Sequence, residues 1–224
     1  MTVLRQAMAI AGKDLRIEAR NRYALGAVLP FAGTLLVTFG LSLGPGRSLL
    51  EQTAPGLLWL AVLFASVLSF NQAYQVESED GAFEGLVLSP IDSAAIFLGK
   101  AAAVAAELVA LEAVVLLLVS ALFGLSLGKS PAVLAGAFVL GTIGLSAVGS
   151  LFGALTESPR FREATFPLLV LPLATPILVA GVKATELAAG GRAGEAGSWL
   201  GLLVAFDVVF LSVGVVVFGQ LLED

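Results

Sequence analysis

The sequence predicts an all-α integral membrane protein with six transmembrane helices. Of its 224 residues, 58% are hydrophobic and only 13% are charged, about half the charged share of a soluble domain. So few charges leave too little polar surface to cover a water-exposed sphere. The apolar residues also gather into six stretches long enough to cross a bilayer, which takes about 20 residues per helix. These lie at about 23–43, 55–75, 101–123, 131–153, 165–184 and 198–220, in a single domain covering 1–224.

Residues 1–22 precede the first span. Leu4, Ala7, Met8, Ala11 and Leu15 fall at helical spacing on one face, with Arg5, Lys13, Arg16 and Arg20 elsewhere. A basic amphipathic helix ahead of a span lies in the interface plane; the simpler alternative is a cluster of orienting charge. The apolar run that follows is longer than the core of a cleavable leader and is expected to remain as an anchor. Gly and Pro mark the breaks between spans: "GPG" at 44–46, Pro55, Pro131 and "AAGGRAGEAG" at 188–197. The fifth span holds Pro167, Pro172 and Pro176 and is expected to kink, because neighbours in a bundle can satisfy the carbonyls that proline frees.

An even number of spans puts both termini on one side. With that side cytoplasmic, the inner segments hold Arg5, Lys13, Arg16, Arg20, Arg22, Lys100, Arg160 and Arg162. The outer segments hold Arg47, Lys129, Lys183 and Arg192. This obeys the positive-inside rule, to which Asp and Glu contribute little.

Several chemistries are excluded. The chain has no cysteine and no histidine, so disulfides, thiolate chemistry and imidazole ligation of metals are absent. No basic stripe suits nucleic acid. "FGLSLGKS" at 123–130 approaches a phosphate loop, but the pattern needs glycine where Phe123 stands and a preceding strand. The chain therefore has no nucleotide site of its own.

Three carboxylates fall inside spans: Glu107, Glu112 and Asp207. Each costs roughly 2.5–3.5 kcal/mol at mid-helix, so each needs a partner or a wet cavity. They are candidates for a substrate path or proton relay; the alternative is interhelical hydrogen bonding. Glu107 and Glu112 are five apart and share a face poorly, which argues against a paired device. "GTIGLSAVGSLFG" at 141–153 offers Gly149, Gly153, Ser146 and Gly141, small residues that let helices approach closely in lipid.

One acidic insert, "ESEDGAFEGLVLSP" at 77–90, interrupts the apolar pattern. Phe83, Leu86 and Val87 cluster on one side of a short helix, with Glu79, Asp80 and Glu84 elsewhere and Pro90 ending it. The apolar side suits a groove on a soluble partner. The alternative, a helix lying on the membrane, sets acids against an anionic leaflet.

This insert, with Lys100 ten residues beyond it, resembles the cytoplasmic loop of exporter-class (ABC-2 type) ABC transporter permeases. The stretch "SFNQAYQVESEDGAFEGLVLSPIDSAAIFLGK" (69–100) and the proline-rich "FPLLVLPLATPILVAGVKA" (166–184) are together similar to the heme exporter protein B family of cytochrome c maturation. That resemblance implies a non-catalytic permease of the bacterial inner membrane, homodimeric, joined to a separate ATPase subunit that binds ATP. It implies that Glu77, Glu79, Asp80, Gly81, Phe83, Glu84, Leu86, Ser89 and Pro90 form the coupling helix docking on that ATPase. It further implies a haem-handling membrane protein and a haem chaperone as partners, with haem as cargo or the loaded chaperone as the species released. With no His or Cys, and with Met1 and Met8 near the cytoplasmic face, this chain is not expected to ligate haem iron; it carries no cofactor of its own. The competing readings are an exporter of drugs, lipids or polysaccharide, and a non-transporting membrane scaffold.

Overall fold

A computed structural model describes the backbone of residues 2–21, 24–79, 85, 91–155 and 159–221, and side chains over 2–20, 26–72, 85, 91–153 and 168–220. The elements are α1 (Val3–Asn21), a π-helical turn (Ala24–Val28), α2 (Leu29–Leu43), α3 (Arg47–Glu79), α4 (Ser93–Phe123), α5 (Pro131–Leu155), α6 (Pro159–Gly190), a short 3-10 turn (Ala193–Glu195) and α7 (Gly197–Leu221). Among the described residues, six helices are long and apolar enough to cross a membrane, so the chain is a multi-pass membrane protein.

Among the described residues, three links open on glycines with positive φ: Gly44 at 74°, Gly124 at 71° and Gly191 at 76°. Only glycine takes such angles without steric cost. Gly124 closes α4 by donating its amide to the Ser120 carbonyl, a left-handed helix cap. The phosphate-loop look-alike is therefore the end of a helix and the turn after it.

Span boundaries depart from the sequence expectation in three places. Pro55 does not end an element: α3 starts at Arg47 and runs through it. The polar start of α3 is held instead by the Arg47–Glu51 pair at 2.9 Å, one helical turn apart. The third span begins at Ser93 rather than 101, because Asp92 caps α4 by accepting from the Ala94 amide at 2.9 Å. Lys100, expected in a loop, thus lies inside a helix. In the fifth span, α6 continues unbroken from Pro159 to Gly190, and its apolar window, Leu168–Gly190, reaches six residues past the expected end. Pro172 and Pro176, four apart, both lie on its exposed side, where their rings avoid neighbouring helices.

Helix α3 forms the centre, with 72% of its span buried, whereas α2 and α7 are peripheral at 17% each. Helices α4, α5 and α6 pack around α3, and α7 closes against α4, α5 and α6. Trp59 of α3 is fully buried. Its ring fits only because Gly141 and Gly181 lack side chains: a Cβ there would sit 2.2 Å and 2.5 Å from ring atoms. The ring stacks on Phe138 at 5.5 Å, and its Nε1 donates to Thr185 Oγ1 at 2.9 Å. Gly149 likewise faces Phe70. These small residues of α5 serve packing within the chain.

A second, smaller core joins the ends of the helices near α1 through Ile10, Ile96, Phe97, Ala147, Leu151 and Phe218. Phe97 lies against Gly214 of α7. On α1, Ala7 and Ile10 turn inward while Leu4 and Met8 stay exposed. The apolar face expected from the sequence is therefore divided between the bundle and the surroundings.

Candidate functional site

In sequence, the acidic insert overlaps the end of α3 and precedes α4. The backbone of Glu77 and Glu79 belongs to the last turns of α3. Their side chains lie outside the described residues, as do Asp80, Gly81, Phe83, Glu84, Leu86, Ser89 and Pro90, and the side chain of Pro167. Gly85 is described, helical and exposed, and a Cβ there would meet nothing within 4 Å. Beyond the insert, Ile91 packs on the second core, and Asp92 fixes the first turn of α4.

The surroundings of that turn are tightly built. Lys100 is 3% exposed, and its Nζ lies 3.7 Å from Asp14 Oδ2 of α1. Asp14 also faces Lys13 at 2.9 Å. The residue before Lys100, Gly99, lets α1 cross closely, since a Cβ there would sit 2.8 Å from the Ala7 carbonyl oxygen and from Ile10 Cβ. The helix that follows the insert is therefore one against which α1 is packed. Sequence reading missed this pair, although a lysine between "IFLG" and "AAAV" signals a charge that must find a partner.

The three intramembrane acids do not converge. Glu107 accepts from Ser69 Oγ of α3 at 2.8 Å. Glu112, 4% exposed, meets Thr142 Oγ1 of α5 at 2.7 Å. The Thr142 hydroxyl is also 2.7 Å from the Phe138 carbonyl, and its single proton can serve one acceptor at a time. Asp207 of α7 is 5% exposed, and neither of its carboxylate oxygens has a hydrogen-bond partner among the described residues. A Cβ on Gly144 would sit 2.7 Å from its Oδ1, so this acid lies against the backbone of α5. Thr142 and Gly144 are two residues apart on α5, hence on nearly opposite faces. Glu112 and Asp207 thus lie against different faces of that helix. No cluster of three or more potential metal ligands occurs among the described residues.

Comparison with known proteins fits this arrangement. The family model described as CcmB protein matches residues 5–223. "Heme exporter protein B" of Pseudomonas aeruginosa is 32% identical over 185 residues, 81% of each chain. The Escherichia coli protein of the same name is 33% identical over 87 residues, a match spanning 39% of this chain and 40% of that one. The Rhodobacter capsulatus protein is 35% identical over 97 residues, 42% and 44% of the two chains.

Proposed function

The chain belongs to the CcmB protein family, and from that premise we propose that it is the permease subunit of an ABC transporter serving haem delivery. The observation that carries the proposal is the match over 81% of the chain to a protein named heme exporter protein B, on a bundle with six helices long enough to cross a membrane. In this reading the chain hydrolyses nothing. A separate ATPase subunit binds ATP and docks on residues 77–90, and two copies of the permease pair to hold two ATPases.

The bacterial inner membrane is the location, with both termini and the insert on the cytoplasmic side. The basic residues of the N-terminal segment support that orientation. Haem is handled as cargo, or as the load of a chaperone whose release ATP drives. The iron is ligated elsewhere: the chain lacks His and Cys, and Met8 is exposed on α1, away from the bundle interior. A haem-handling membrane protein would supply those ligands.

Mechanical coupling follows from the packing. Force on the insert enters α4 at its capped first turn. It spreads to α1 through Lys100–Asp14 and Gly99, and to α7 through Phe97 and Gly214. The test is reconstitution of the chain with its ATPase, measuring ATP hydrolysis with and without the haem-loaded chaperone. Hydrolysis that responds to the loaded chaperone supports the reading. Hydrolysis by a bound ATPase that ignores the chaperone, but responds to a drug or lipid, would assign the chain to another export class.

A further inference from the structure

We propose that the cavity between the start of α3 and the links after α4 and α6, at the end of the bundle away from α1, receives the carboxylate groups of an anionic amphiphile through Lys129 and Arg192. The cavity holds about 590 Å³, within the range of roughly 300–1,000 Å³ typical of small-molecule sites. Glu51 comes from α3, Lys129 from the α4–α5 link, and Glu186 and Arg192 from the end of α6 and the turn after it. Leu125 and Ala189 add apolar wall.

The charges on these walls are unequal in their partners. Glu51 accepts from Arg47 Nε at 2.9 Å. Glu186 accepts from Lys183 Nζ at 2.8 Å. Both acids are thus matched by a cation of their own helix. Lys129 has no ion pair among the described residues. Arg192 stands 3.7 Å from Glu186 and 3.5 Å from Glu195, longer than the 2.7–2.9 Å or so of a charge-assisted hydrogen bond. Most of its five donors remain available. The two cations are also neighbours: a Cβ on Gly191 would lie 3.6 Å from Lys129 Cδ, so the lysine stem runs along the residue preceding Arg192.

Two adjacent cations beside apolar wall, where the spans end, suit a ligand with an apolar body and acidic groups. The inference rests on the haem-delivery reading, because a haem-class cargo carries two propionate carboxylates on an apolar ring. An anionic lipid headgroup offers the same charge as phosphate, and the experiment separates the two sources.

The full chain in nanodiscs of zwitterionic lipid is titrated with metal-free mesoporphyrin IX and with its dimethyl ester. The free acid should bind saturably and the ester should not. Lys129→Glu should weaken free-acid binding by roughly tenfold or more, as expected when a charge-assisted contact becomes a repulsion. Arg192→Gln should weaken it to a lesser degree. Equal binding by wild type and Lys129→Glu, equal binding of acid and ester, or no saturable binding would overturn the proposal. Phosphatidylglycerol retained by wild type but not by Lys129→Glu in native mass spectrometry, with porphyrin excluded, would overturn it in favour of a lipid phosphate. Copurification of the ATPase is followed in parallel. Its retention with no porphyrin binding sinks the cavity assignment alone, whereas its loss from wild type sinks the permease reading.

Discussion

Lys100 Nζ of α4 lies 3.7 Å from Asp14 Oδ2 of α1, with 4% of the lysine side chain exposed. This contact fixes the amphipathic helix to the span that begins just after the acidic insert.

Removing Asp14 takes from the buried Lys100 one of the groups that hold its charge. Asp14→Ala should cost on the order of 1–3 kcal/mol, seen as a lower melting temperature in detergent and faster amide exchange across α1. The double reversal Asp14→Lys with Lys100→Asp should recover part of the loss. Unchanged exchange in α1 would mean that its apolar contacts at Ala7 and Ile10 hold it unaided.

Trp59 makes a second prediction. Gly181→Ala forces a methyl group to within 2.5–2.8 Å of three ring atoms, and such overpacking typically costs about 1–3 kcal/mol. Gly136→Ala places its methyl 3.7 Å from Leu200, an ordinary contact, and should be neutral or stabilising by up to about 1 kcal/mol through helix propensity. Thermal unfolding of the two variants side by side checks the wedge; equal melting temperatures would refute it.

The architecture was legible because lipid imposes length and apolarity on each span, and these survive in a single sequence. What the sequence concealed was pairing across distance. Ser69 and Glu107 are 38 residues apart, and Thr142 and Glu112 are 30 apart; neither hydroxyl announces its acid. Lys100 read as a loop charge because its partner sits on a helix assigned to the membrane surface. Pro55 read as a break because local pattern does not reveal that the helix has already begun at Arg47. The acids themselves were found from composition, but that Glu112 and Asp207 lie against different faces of α5 required the packed bundle.

Asp207 tests whether an intramembrane acid serves function. Asp207→Leu removes a buried carboxylate that costs roughly 2.5–3.5 kcal/mol at mid-helix, so it should raise the melting temperature. If the carboxylate is used in haem delivery, Asp207→Asn and Asp207→Leu should both fold while cytochrome c maturation falls. Full maturation with Asp207→Leu would show that the acid is only tolerated.

Orientation can be read with single cysteines, since the chain has none. A Cβ at Gly85 or Gly128 meets nothing within 4 Å, so both positions accept the probe. A membrane-impermeant maleimide added to spheroplasts, cells with the outer membrane opened, should label Gly128→Cys and leave Gly85→Cys unlabelled until the inner membrane is disrupted. The reverse pattern would invert the topology.

The most direct measurement concerns residues 77–90 as the ATPase docking element. Phe83 and Leu86 are the expected anchors, since truncating a buried interface aromatic or aliphatic commonly costs more than about 1 kcal/mol and at times more than 2. The surrounding acids should set encounter rate and register, an effect that salt screens. Copurification of the ATPase with tagged permease is measured at low and high salt for wild type, Phe83→Ala and Glu84→Gln. The account predicts that Phe83→Ala releases the ATPase at both salt concentrations, while Glu84→Gln weakens it chiefly at low salt. Wild-type recovery of the ATPase by Phe83→Ala at both concentrations would contradict it.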